Sequence, residues 1–459
     1  MTARHINTYG KNNVSIIINN RLCIHCGACS SICPTNAIMW NECKRTPIII
    51  DEKCVNCKLC LKICPSYNTY RDYYLLYKDF SSFLMGPVLE TYLAWSKNSR
   101  LRYDASSGGF ITQLLLDLMK LKLIDGAIVT IPDIKRPYLA KAIIAEHPHE
   151  VLDAKGSKYT ISSLRLVVRE LLNKDGHYAV VGLPCHILMF KRLEKLFSKL
   201  KNKIVLHIGL FCGHVVYPTL YYIILNKELK CSKENARIIS IKYRGSGWPG
   251  YLEITLSDGT KLKLPHDYWV SNYFSSMIYT PKRCQVCNDV TAELADIAVG
   301  DPWIKILKNR EKAGISLVVI RTVRGKYYLN RALEIGNIAY VKIPKQAIIV
   351  SQSTNIIFKK VKLPYRLRFV YMPDNLTIFF NYKDIIREKG FEKILSYLGS
   401  FMIMNDGSNK VLTNLFKLLP RKLISLYSIL MYFLFLKSTS YKLILDKLKE
   451  VHRNSHQKS

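Results

Sequence analysis

The sequence predicts three parts: a small cysteine-rich α+β domain over residues 1–80, a mixed α/β domain over residues 88–345, and a basic, mainly helical C-terminal extension over residues 346–459. Three observations predict this division. Nine cysteines fall between positions 23 and 64, strand-like and helix-like apolar segments alternate from residue 90 to residue 343, and the final segment is rich in Lys, Arg and aromatic residues. A chain of 459 residues is long enough for several cores.

The small domain carries the same cysteine pattern twice. Residues 23–34 and residues 54–65 both read C-x2-C-x2-C-x3-C-P. Two such runs are typical of two-cluster bacterial ferredoxins, in which the fourth cysteine of each run crosses to the other cluster. We therefore predict a bacterial-ferredoxin-like domain with two 4Fe-4S clusters, and zinc or disulfides are the less favoured alternatives. The expected ligands are Cys23, Cys26, Cys29 and Cys64 for one cluster and Cys54, Cys57, Cys60 and Cys33 for the other.

Apolar triplets and a tyrosine-rich segment border the two cysteine runs. Residues 16–18 and residues 48–50 are each three consecutive isoleucines, which predict a short strand before each run. Residues 66–88 end in Gly-Pro and predict a linker that wraps the small domain against the next one. Cys43, between the two runs, has no role in the pattern.

Two glycine- and serine-rich turns precede predicted helices in the larger domain. The turn at 105–109 leads into an apolar helix at 110–123, which is followed by a strand at 127–131. The turn at 156–159 precedes an amphipathic helix at 161–172. Such turns leave backbone N–H groups free to meet phosphate, although most of them are only helix caps.

Four cysteines of the larger domain are predicted to meet at one edge of its sheet. Residues 178–181 and 204–210 read as strands joined by a helix, so they should be parallel neighbours. Cys185 and Cys212 each follow one of these strands, at the edge where open α/β sheets bind ligands. Cys284 and Cys287 form a C-x2-C pair further along. A hairpin with an Asp-Gly turn is predicted between residues 251 and 264.

Three interpretations of these four cysteines remain open on the residues alone. Four thiolates suit a third 4Fe-4S cluster or a zinc ion. Alternatively, Cys185 could be a nucleophile with His186 or His214 as its base. The cluster is favoured because two iron-sulfur clusters are already predicted. Cys231 stands apart, between lysines, without a neighbouring cysteine.

The charge of the chain favours acidic partners. Lys and Arg number 68 against 34 Asp and Glu, which gives a net charge of +34. Phosphate-bearing cofactors, acidic redox proteins and anionic membrane surfaces all fit this excess. We predict no nucleic-acid partner, because the chain has no zinc-finger, helix-turn-helix or RNA-binding signature.

The cellular location is predicted to be cytoplasmic, because thiols are abundant and no apolar signal segment precedes Cys23. The uncharged run at 423–436 is shorter than the ~17 to 25 residues of a spanning helix. Its basic flanks, Arg421, Lys422 and Lys437, suggest peripheral contact with the inner face of the membrane. Packing against the body of the protein or against a partner subunit is the alternative.

Six motifs between residues 90 and 345 together resemble the beta-subunit family of coenzyme F420-reducing hydrogenases and dehydrogenases. They are Ser-Ser-Gly-Gly at 106–109, Gly-Ser-Lys-Tyr at 156–159, Gly-Leu-Pro-Cys-His at 182–186, Gly-Leu-Phe-Cys at 209–212, Arg-Gly-Ser-Gly-Trp-Pro-Gly at 244–250, and the run from Arg283 to Trp303. The chain thus resembles this family fused to an N-terminal two-cluster ferredoxin domain.

This resemblance implies FAD and a 4Fe-4S cluster in the larger domain. The implied FAD contacts are Ser107, Gly108, Gly109, Gly156, Ser157, Lys158 and Tyr159, and the implied cluster ligands are Cys185, Cys212, Cys284 and Cys287. Lys158 and Arg244 are also candidates for anion contact, because the deazaflavin carries a phosphate and a glutamate tail. No catalytic acid or base is predicted, since the cofactors carry the chemistry.

The implied function is that of a flavin and iron-sulfur oxidoreductase. It would pass electrons between a two-electron hydride carrier, coenzyme F420 being favoured, and one-electron carriers such as ferredoxin or a partner redox subunit. Two alternatives are a non-catalytic electron-transfer subunit of a larger redox complex and a reductase of the same fold that acts on a cell-envelope or pigment precursor.

Overall fold

The computed structural model describes residues 13–42, 44–229, 237–370, 396, 398–400, 402, 404 and 419–432. Cys43 and Cys231, for which the sequence predicts no role, lie outside the described residues, as does most of the C-terminal extension beyond residue 370.

The small domain combines two short strands with three short helices. The helices are α1 (Ser15–Asn19), α2 (Ala28–Ser31) and α3 (Leu59–Ile63), and the antiparallel strands are β1 (Ile38–Asn41) and β2 (Thr46–Ile49). The strand predicted at residues 48–50 is confirmed in β2. The strand predicted at residues 16–18 is wrong, because these residues lie in α1. The Asn13 side chain accepts the Ser15 N–H at 2.9 Å just before the first turn of α1, and the helix buries Ile17 in the core.

The predicted linker at 66–88 is folded and largely helical. It contains α4 (Thr69–Tyr74) and α5 (Phe80–Met85). Tyr70 is buried, and its hydroxyl donates to the Val286 carbonyl at 2.7 Å. Asp79 caps α5 by accepting the Ser82 N–H at 2.7 Å. The segment therefore packs the small domain against the larger one, as predicted, but through two helices rather than a loop.

The larger domain is built on a mixed sheet. The strands after the small domain are β3 (Glu90–Ser96), β4 (Gly126–Pro132), β5 (Ala140–Ala145), β6 (Ser162–Ser163), β7 (Tyr178–Gly182), β8 (Ile204–Leu210), β9 (Ile238–Lys242), β10 (Tyr251–Leu256), β11 (Lys261–Pro265), β12 (Ile297–Gly300), β13 (Ser316–Ile320) and β14 (Ile338–Lys342). Nine of the described strands form this sheet in the order β14-β3-β13-β12-β8-β7-β4-β5-β6. Its centre, β12-β8-β7-β4, is parallel.

Helices connect these strands and cover the sheet. They are α6 (Ser99–Asp104), α7 (Phe110–Lys120), α8 (Pro148–Asp153), α9 (Arg165–Asn173), α10 (Pro184–Leu196), α11 (Leu200–Lys203), α12 (Thr219–Leu229), α13 (His266–Asn272), α14 (Lys282–Gln285), α15 (Lys305–Arg310) and α16 (Val323–Leu333). Two predicted helices are shorter than expected. Helix α7 ends before Lys122, which has a φ of +54°, and α9 begins late because β6 pairs with β5.

The strand-helix-strand prediction that positions two of the cysteines is confirmed. Strands β7 and β8 are parallel neighbours joined by α10. Cys185 lies in the first turn of α10, where Pro184 takes a position that needs no N–H donor. Cys212 follows the end of β8. The predicted hairpin is also confirmed, and its strands β10 and β11 form a separate antiparallel sheet with β9.

The described part of the C-terminal extension is helical. It comprises α17 (Gln346–Ile356), a π-helical turn at Ile357–Val361, α18 (Leu363–Leu367) and, after a gap, α19 (Arg421–Tyr432). Lys359, Lys360 and Arg366 are buried there. None of the helices in the described residues is long and apolar enough to cross a membrane.

Candidate iron-sulfur and flavin site

Four cysteines of the small domain meet in a buried group, here called the first site: Cys23, Cys26, Cys29 and Cys64. Burial raises the pKa of Cys29 well above its usual value, and the charges of Cys26, Cys23 and Cys64 raise it further. Burial likewise raises the pKa of Cys26 to about 12. Such thiols ionise only when a cation compensates them, and an iron-sulfur cluster would supply that charge.

The second site consists of Cys54, Cys57, Cys60 and Cys33, which line one cavity. It adjoins the first site, because Cys60 is among the groups that raise the pKa of Cys29. Cys57 is exposed and its neighbour Val55 is 64 % exposed, so the second site reaches the protein surface. The grouping in both sites is the one expected of crossed ferredoxin ligands, and the donor set fits two clusters.

The third site consists of Cys185, Cys212, Cys284 and Cys287, which line a single cavity in the larger domain. Burial raises the pKa of Cys185 well above its usual value, and the other three thiols raise it further. Residues that are far apart in sequence therefore converge at the carboxyl ends of β7 and β8. Four buried thiols in one cavity form a donor set that fits a 4Fe-4S cluster.

The two alternatives for the third site find less support in this geometry. A nucleophilic cysteine needs a depressed pKa, whereas that of Cys185 is raised by burial. Burial also lowers the pKa of His186 to about 4. In the described part of the chain, no three histidine, cysteine or acidic side chains converge as closely as a single metal ion requires. A 4Fe-4S core is bulkier than one ion and holds its thiolates farther apart.

A tyrosine lies between the first and third sites. Burial raises the pKa of Tyr217, and the charges of Cys284 and Cys23 raise it further. His25 contacts the Tyr217 hydroxyl through Nε2 at 3.1 Å and donates from Nδ1 to the Arg45 carbonyl at 2.7 Å. This second contact fixes the tautomer, so Nε2 accepts from the tyrosine. The two cysteine sites are thus joined by packed, hydrogen-bonded side chains.

Arg283 also bridges these two sites. It is buried and donates to the Pro65 carbonyl at 3.3 Å and to the Thr69 hydroxyl at 3.1 Å. Burial opposes its charge, but nearby thiols, Cys287 foremost, raise its pKa overall. Burial raises the pKa of Cys64, and the positive charge of Arg283 partly offsets this rise. A fixed positive charge therefore faces both sites.

The two glycine- and serine-rich turns lie against each other. The Ser157 N–H donates to the Ser106 hydroxyl at 2.7 Å, so residues 105–109 and 156–159 form one surface. Gly109, with a φ of +68°, begins α7, whose first N–H groups have no helical partner. A Cβ on Gly108 would lie 2.8 Å from the Ala94 carbonyl oxygen.

Gly314 closes this surface from the other side. Its φ is +113°, and a Cβ there would overlap the carbonyl oxygen of Ser107. The Ser107 hydroxyl donates to the Ile315 carbonyl at 2.6 Å, and the Gly108 N–H donates to the Ser316 hydroxyl at 3.1 Å. These contacts fix the shape of the two turns, here called the glycine-lined cradle, and they use the N–H groups of Gly108 and Ser157. The binding of FAD there stays a prediction.

The motif at 244–250 borders the same region. The Gly247 N–H donates to the Tyr103 carbonyl at 3.0 Å. Arg244 is buried and donates to the two Asp301 carboxylate oxygens at 2.5 and 3.1 Å. Burial opposes the Arg244 charge, but Asp301 raises its pKa overall. Because Arg244 already binds a carboxylate, its contact with a ligand anion stays a prediction.

Lys158 is engaged within the protein as well. Its Nζ donates to the carbonyls of Ala154 at 2.5 Å and Gly156 at 2.9 Å, at the end of α8. Burial lowers its pKa to about 7. The ammonium therefore caps a helix C-terminus. Contact of Lys158 with a ligand anion stays a prediction. The same holds for the other predicted FAD contacts: Ser107, Gly108, Gly109, Gly156, Ser157 and Tyr159.

The glycine-lined cradle continues directly into the third site. Thr160, Ile161 and Ser162, which follow Tyr159, line the cavity of the four cysteines. Aromatic rings offer a second connection. The ring centroids of Tyr159 and Phe274 are 5.5 Å apart, and those of Phe274 and His214 are 4.0 Å apart. His214 follows Cys212 by two residues, so the cradle and the cysteines share a wall.

Two residues of the site were not found from the sequence. Tyr217 carries no motif. Lys359 lies in the basic C-terminal extension, for which the sequence predicts no part in the site, but it borders the third site and is buried. The apolar residues near it in sequence, Ile356, Ile357 and Val361, are the signal that could have indicated its burial.

Comparison with known proteins finds matches to three successive segments of the chain. Residues 22–68 match a 4Fe-4S dicluster domain. Residues 91–169 and residues 175–346 match the N-terminal and C-terminal parts of "Coenzyme F420 hydrogenase/dehydrogenase, beta subunit". The chain belongs to this beta-subunit family. The family is one of coenzyme F420-linked iron-sulfur oxidoreductase and hydrogenase subunits.

Three curated relatives illustrate the range of the family. The coenzyme F420 hydrogenase subunit beta of Methanococcus voltae is 29% identical over 249 residues, which are 50% of this chain and 76% of that protein. A subunit of the F(420)H(2) dehydrogenase of Methanosarcina mazei is 25% identical, covering 69% of this chain and 84% of that protein. The coenzyme F420-dependent sulfite reductase of Methanocaldococcus jannaschii is 26% identical over 68% of this chain, which spans only 46% of that relative.

Among solved structures, a chain of the F420-reducing [NiFe] hydrogenase complex from Methanosarcina barkeri aligns with 63% of this chain and 98% of its own length. The sequence identity is 20% and the TM-score is 0.48.

Proposed function

We propose that this family member passes electrons between coenzyme F420 and one-electron carriers through FAD and three 4Fe-4S clusters. The observation that carries the proposal is the position of the third site. Its cavity wall continues into the glycine-lined cradle on one side, and through Tyr217 and Arg283 it adjoins the first site on the other. FAD, when bound, would exchange a hydride with the deazaflavin and single electrons with iron-sulfur clusters.

The residues of this chain would hold and shield these groups. The cradle formed by residues 105–109 and 156–159 would bind the phosphates of FAD, because the N-terminus of α7 favours anions. Burial of the third site would exclude water. The second site reaches the surface at Cys57, and there a ferredoxin or a partner redox subunit would exchange electrons with the chain.

The substrate assignment can be tested by anaerobic reconstitution of the full chain with iron, sulfide and FAD. We expect reduced coenzyme F420 to recover its visible absorbance when a viologen or ferredoxin is present, or the oxidised form to bleach in the reverse direction. A preparation without FAD is the control. Failure in both directions with fully loaded protein would exclude coenzyme F420 as the hydride carrier.

The flavin content separates this proposal from a non-catalytic electron-transfer subunit. About one FAD released per chain on denaturation supports the enzyme, because the proposal assigns one FAD to the glycine-lined cradle. A protein with its full iron content but no flavin would instead be a non-catalytic electron-transfer subunit of a larger complex. A protein that holds FAD and its iron-sulfur clusters but does not react with coenzyme F420 would be a reductase for another substrate.

We also propose that helix α19 contacts an anionic membrane surface. Ile424 and Ser428 are buried, whereas Leu426 and Ile429 are each 60 % exposed, so the helix presents apolar side chains outward. Lys422, beside them, is exposed as well. Apolar side chains next to basic ones are typical of interfacial helices.

We expect the protein to cosediment with anionic lipid vesicles at low salt. The double variant Leu426→Glu/Ile429→Glu should bind these vesicles several-fold more weakly, because both changes add negative charge to this surface. Neutral vesicles and an exposed double variant elsewhere, Val323→Glu/Tyr327→Glu, are the controls. Equal binding of all variants would argue against the assignment.

A further inference from the structure

A buried lysine of the C-terminal extension forms part of the wall of the third site. Lys359 belongs to the π-helical turn at Ile357–Val361, beyond residue 346, where the match to the beta-subunit family ends. It is 1 % exposed and borders the same cavity as the four cysteines. The extension therefore supplies a charge to a site that is otherwise built by the family domain.

The Lys359 ammonium joins the two loops that carry the cysteines of the third site. Its Nζ donates to the Cys212 carbonyl at 2.8 Å and to the Asp289 carbonyl at 2.8 Å. Asp289 follows Cys287 by two residues. Because Nζ is held by both carbonyls, the position of the charge relative to the thiols is fixed. A lysine has three N–H donors, so one remains beyond these two bonds.

No carboxylate within the described residues forms an ion pair with Lys359, although Asp289 lies near it. Its neighbour Lys360 provides the contrast, since its Nζ lies 2.7 Å from a Glu293 carboxylate oxygen. The Lys360 charge is thus balanced locally. The four cysteines of the third site line the cavity that Lys359 borders.

We propose that the buried charge of Lys359 raises the reduction potential of the 4Fe-4S cluster at the third site. Reduction adds one electron, and hence one negative charge, to a cluster and its four thiolates. The potential of such a cluster depends on nearby charge, hydrogen bonds and exposure to solvent. A cation fixed in a buried site stabilises the more negative, reduced state, because little water screens it.

The effect should be selective for the third site. Arg283 faces both the third and the first site, and together with Arg192 it lowers the pKa of Cys64. Within the part of the chain that the structure describes, Lys359 donates hydrogen bonds to the loops of the third site and not to the first site. Its charge therefore changes the third potential relative to the first. This favours electrons at the cluster between the flavin cradle and the ferredoxin domain.

The test compares Lys359→Gln with Lys359→Arg in the full chain, purified anaerobically with its clusters and flavin. Glutamine removes the charge but keeps an N–H donor, whereas arginine keeps the charge. Redox titration followed by electron paramagnetic resonance should give a lower midpoint potential for the third cluster in Lys359→Gln and a nearly unchanged one in Lys359→Arg. The first and second clusters are internal controls, and the exposed Lys345→Gln is the external one.

An unchanged third potential in Lys359→Gln, or equal shifts in both variants, would overturn the proposal. If Lys359→Gln loses the third cluster, the result for Lys359→Arg decides. A Lys359→Arg protein that keeps the cluster at its original potential supports a role for the charge. Loss of the cluster in both variants overturns the proposal. The inference rests on the proposed function. If the unaltered protein holds only about eight iron atoms per chain, the three-cluster proposal itself has failed, before any variant is compared.

Discussion

Replacing Cys284 and Cys287 together by serine should lower the iron content of anaerobically purified protein from about twelve atoms per chain to about eight. The two residues supply half of the ligands of the third site, and serine is a poor ligand for iron in such clusters. The first and second sites lie in the small domain and share no ligand with the third. Their eight cysteines should therefore keep both ferredoxin clusters.

Iron and sulfide analysis checks this expectation, together with the electron paramagnetic resonance signals of the reduced protein. Cys231→Ser is the matched control, because it removes a cysteine for which the sequence predicts no role. Full iron in the double variant would show that the third site holds no cluster. About eight atoms in both the variant and the unaltered protein would have the same meaning.

The same double variant should also interrupt electron transfer inside the protein. The third site lies between the glycine-lined cradle and the first site, so its loss removes the intermediate step. We expect reduction of the two ferredoxin clusters by reduced coenzyme F420 to slow by orders of magnitude, while FAD stays bound. Unchanged reduction of those clusters would require a different route.

The cysteine sites were the part of the molecule most open to prediction from sequence. Thiols at fixed short spacing have few uses, and the crossing of Cys33 and Cys64 follows from the repeat itself. The parallel pairing of β7 and β8 was also predictable, because a strand-helix-strand connection leaves little choice of geometry. Together they implied that Cys185 and Cys212 are neighbours.

Contacts between distant segments could not be predicted in the same way. The helix at residues 16–18 buries Ile17 in the core, and this tertiary burial overrides the preference of isoleucine for strands. The burial of Lys359 depends on how the extension packs, which no local pattern determines. The meeting of Ser106 with Ser157 likewise links turns that are far apart in the chain.

Replacing Gly314 by alanine should cost the protein its FAD while leaving the iron content unchanged. The φ of +113° is unfavourable for any residue with a Cβ, with a strain of about 1 kcal/mol or more. In addition, the new methyl group would overlap the Ser107 carbonyl oxygen. The turn at 105–109 must then move, which breaks the contacts of Ser107 with Ile315 and of Gly108 with Ser316.

The flavin content should fall from about one per chain to a small fraction of that, since the cradle holds the cofactor by backbone contacts that depend on its shape. Gly336→Ala is the matched control. Gly336 also has a positive φ, +84°, but a Cβ there would meet nothing within 4 Å. Strain alone would therefore affect both variants, whereas displacement of the turn affects only Gly314→Ala.

Flavin released on denaturation and iron bound per chain should be measured on the same preparations, with thermal unfolding to compare stability. Loss of FAD in Gly314→Ala with full iron, against full FAD in Gly336→Ala, would place the flavin at the turns 105–109 and 156–159. An equal flavin content in both variants would mean that FAD binds elsewhere in the domain. The three cysteine sites would then still form a connected series, but its electron donor would bind at a surface other than the glycine-lined cradle.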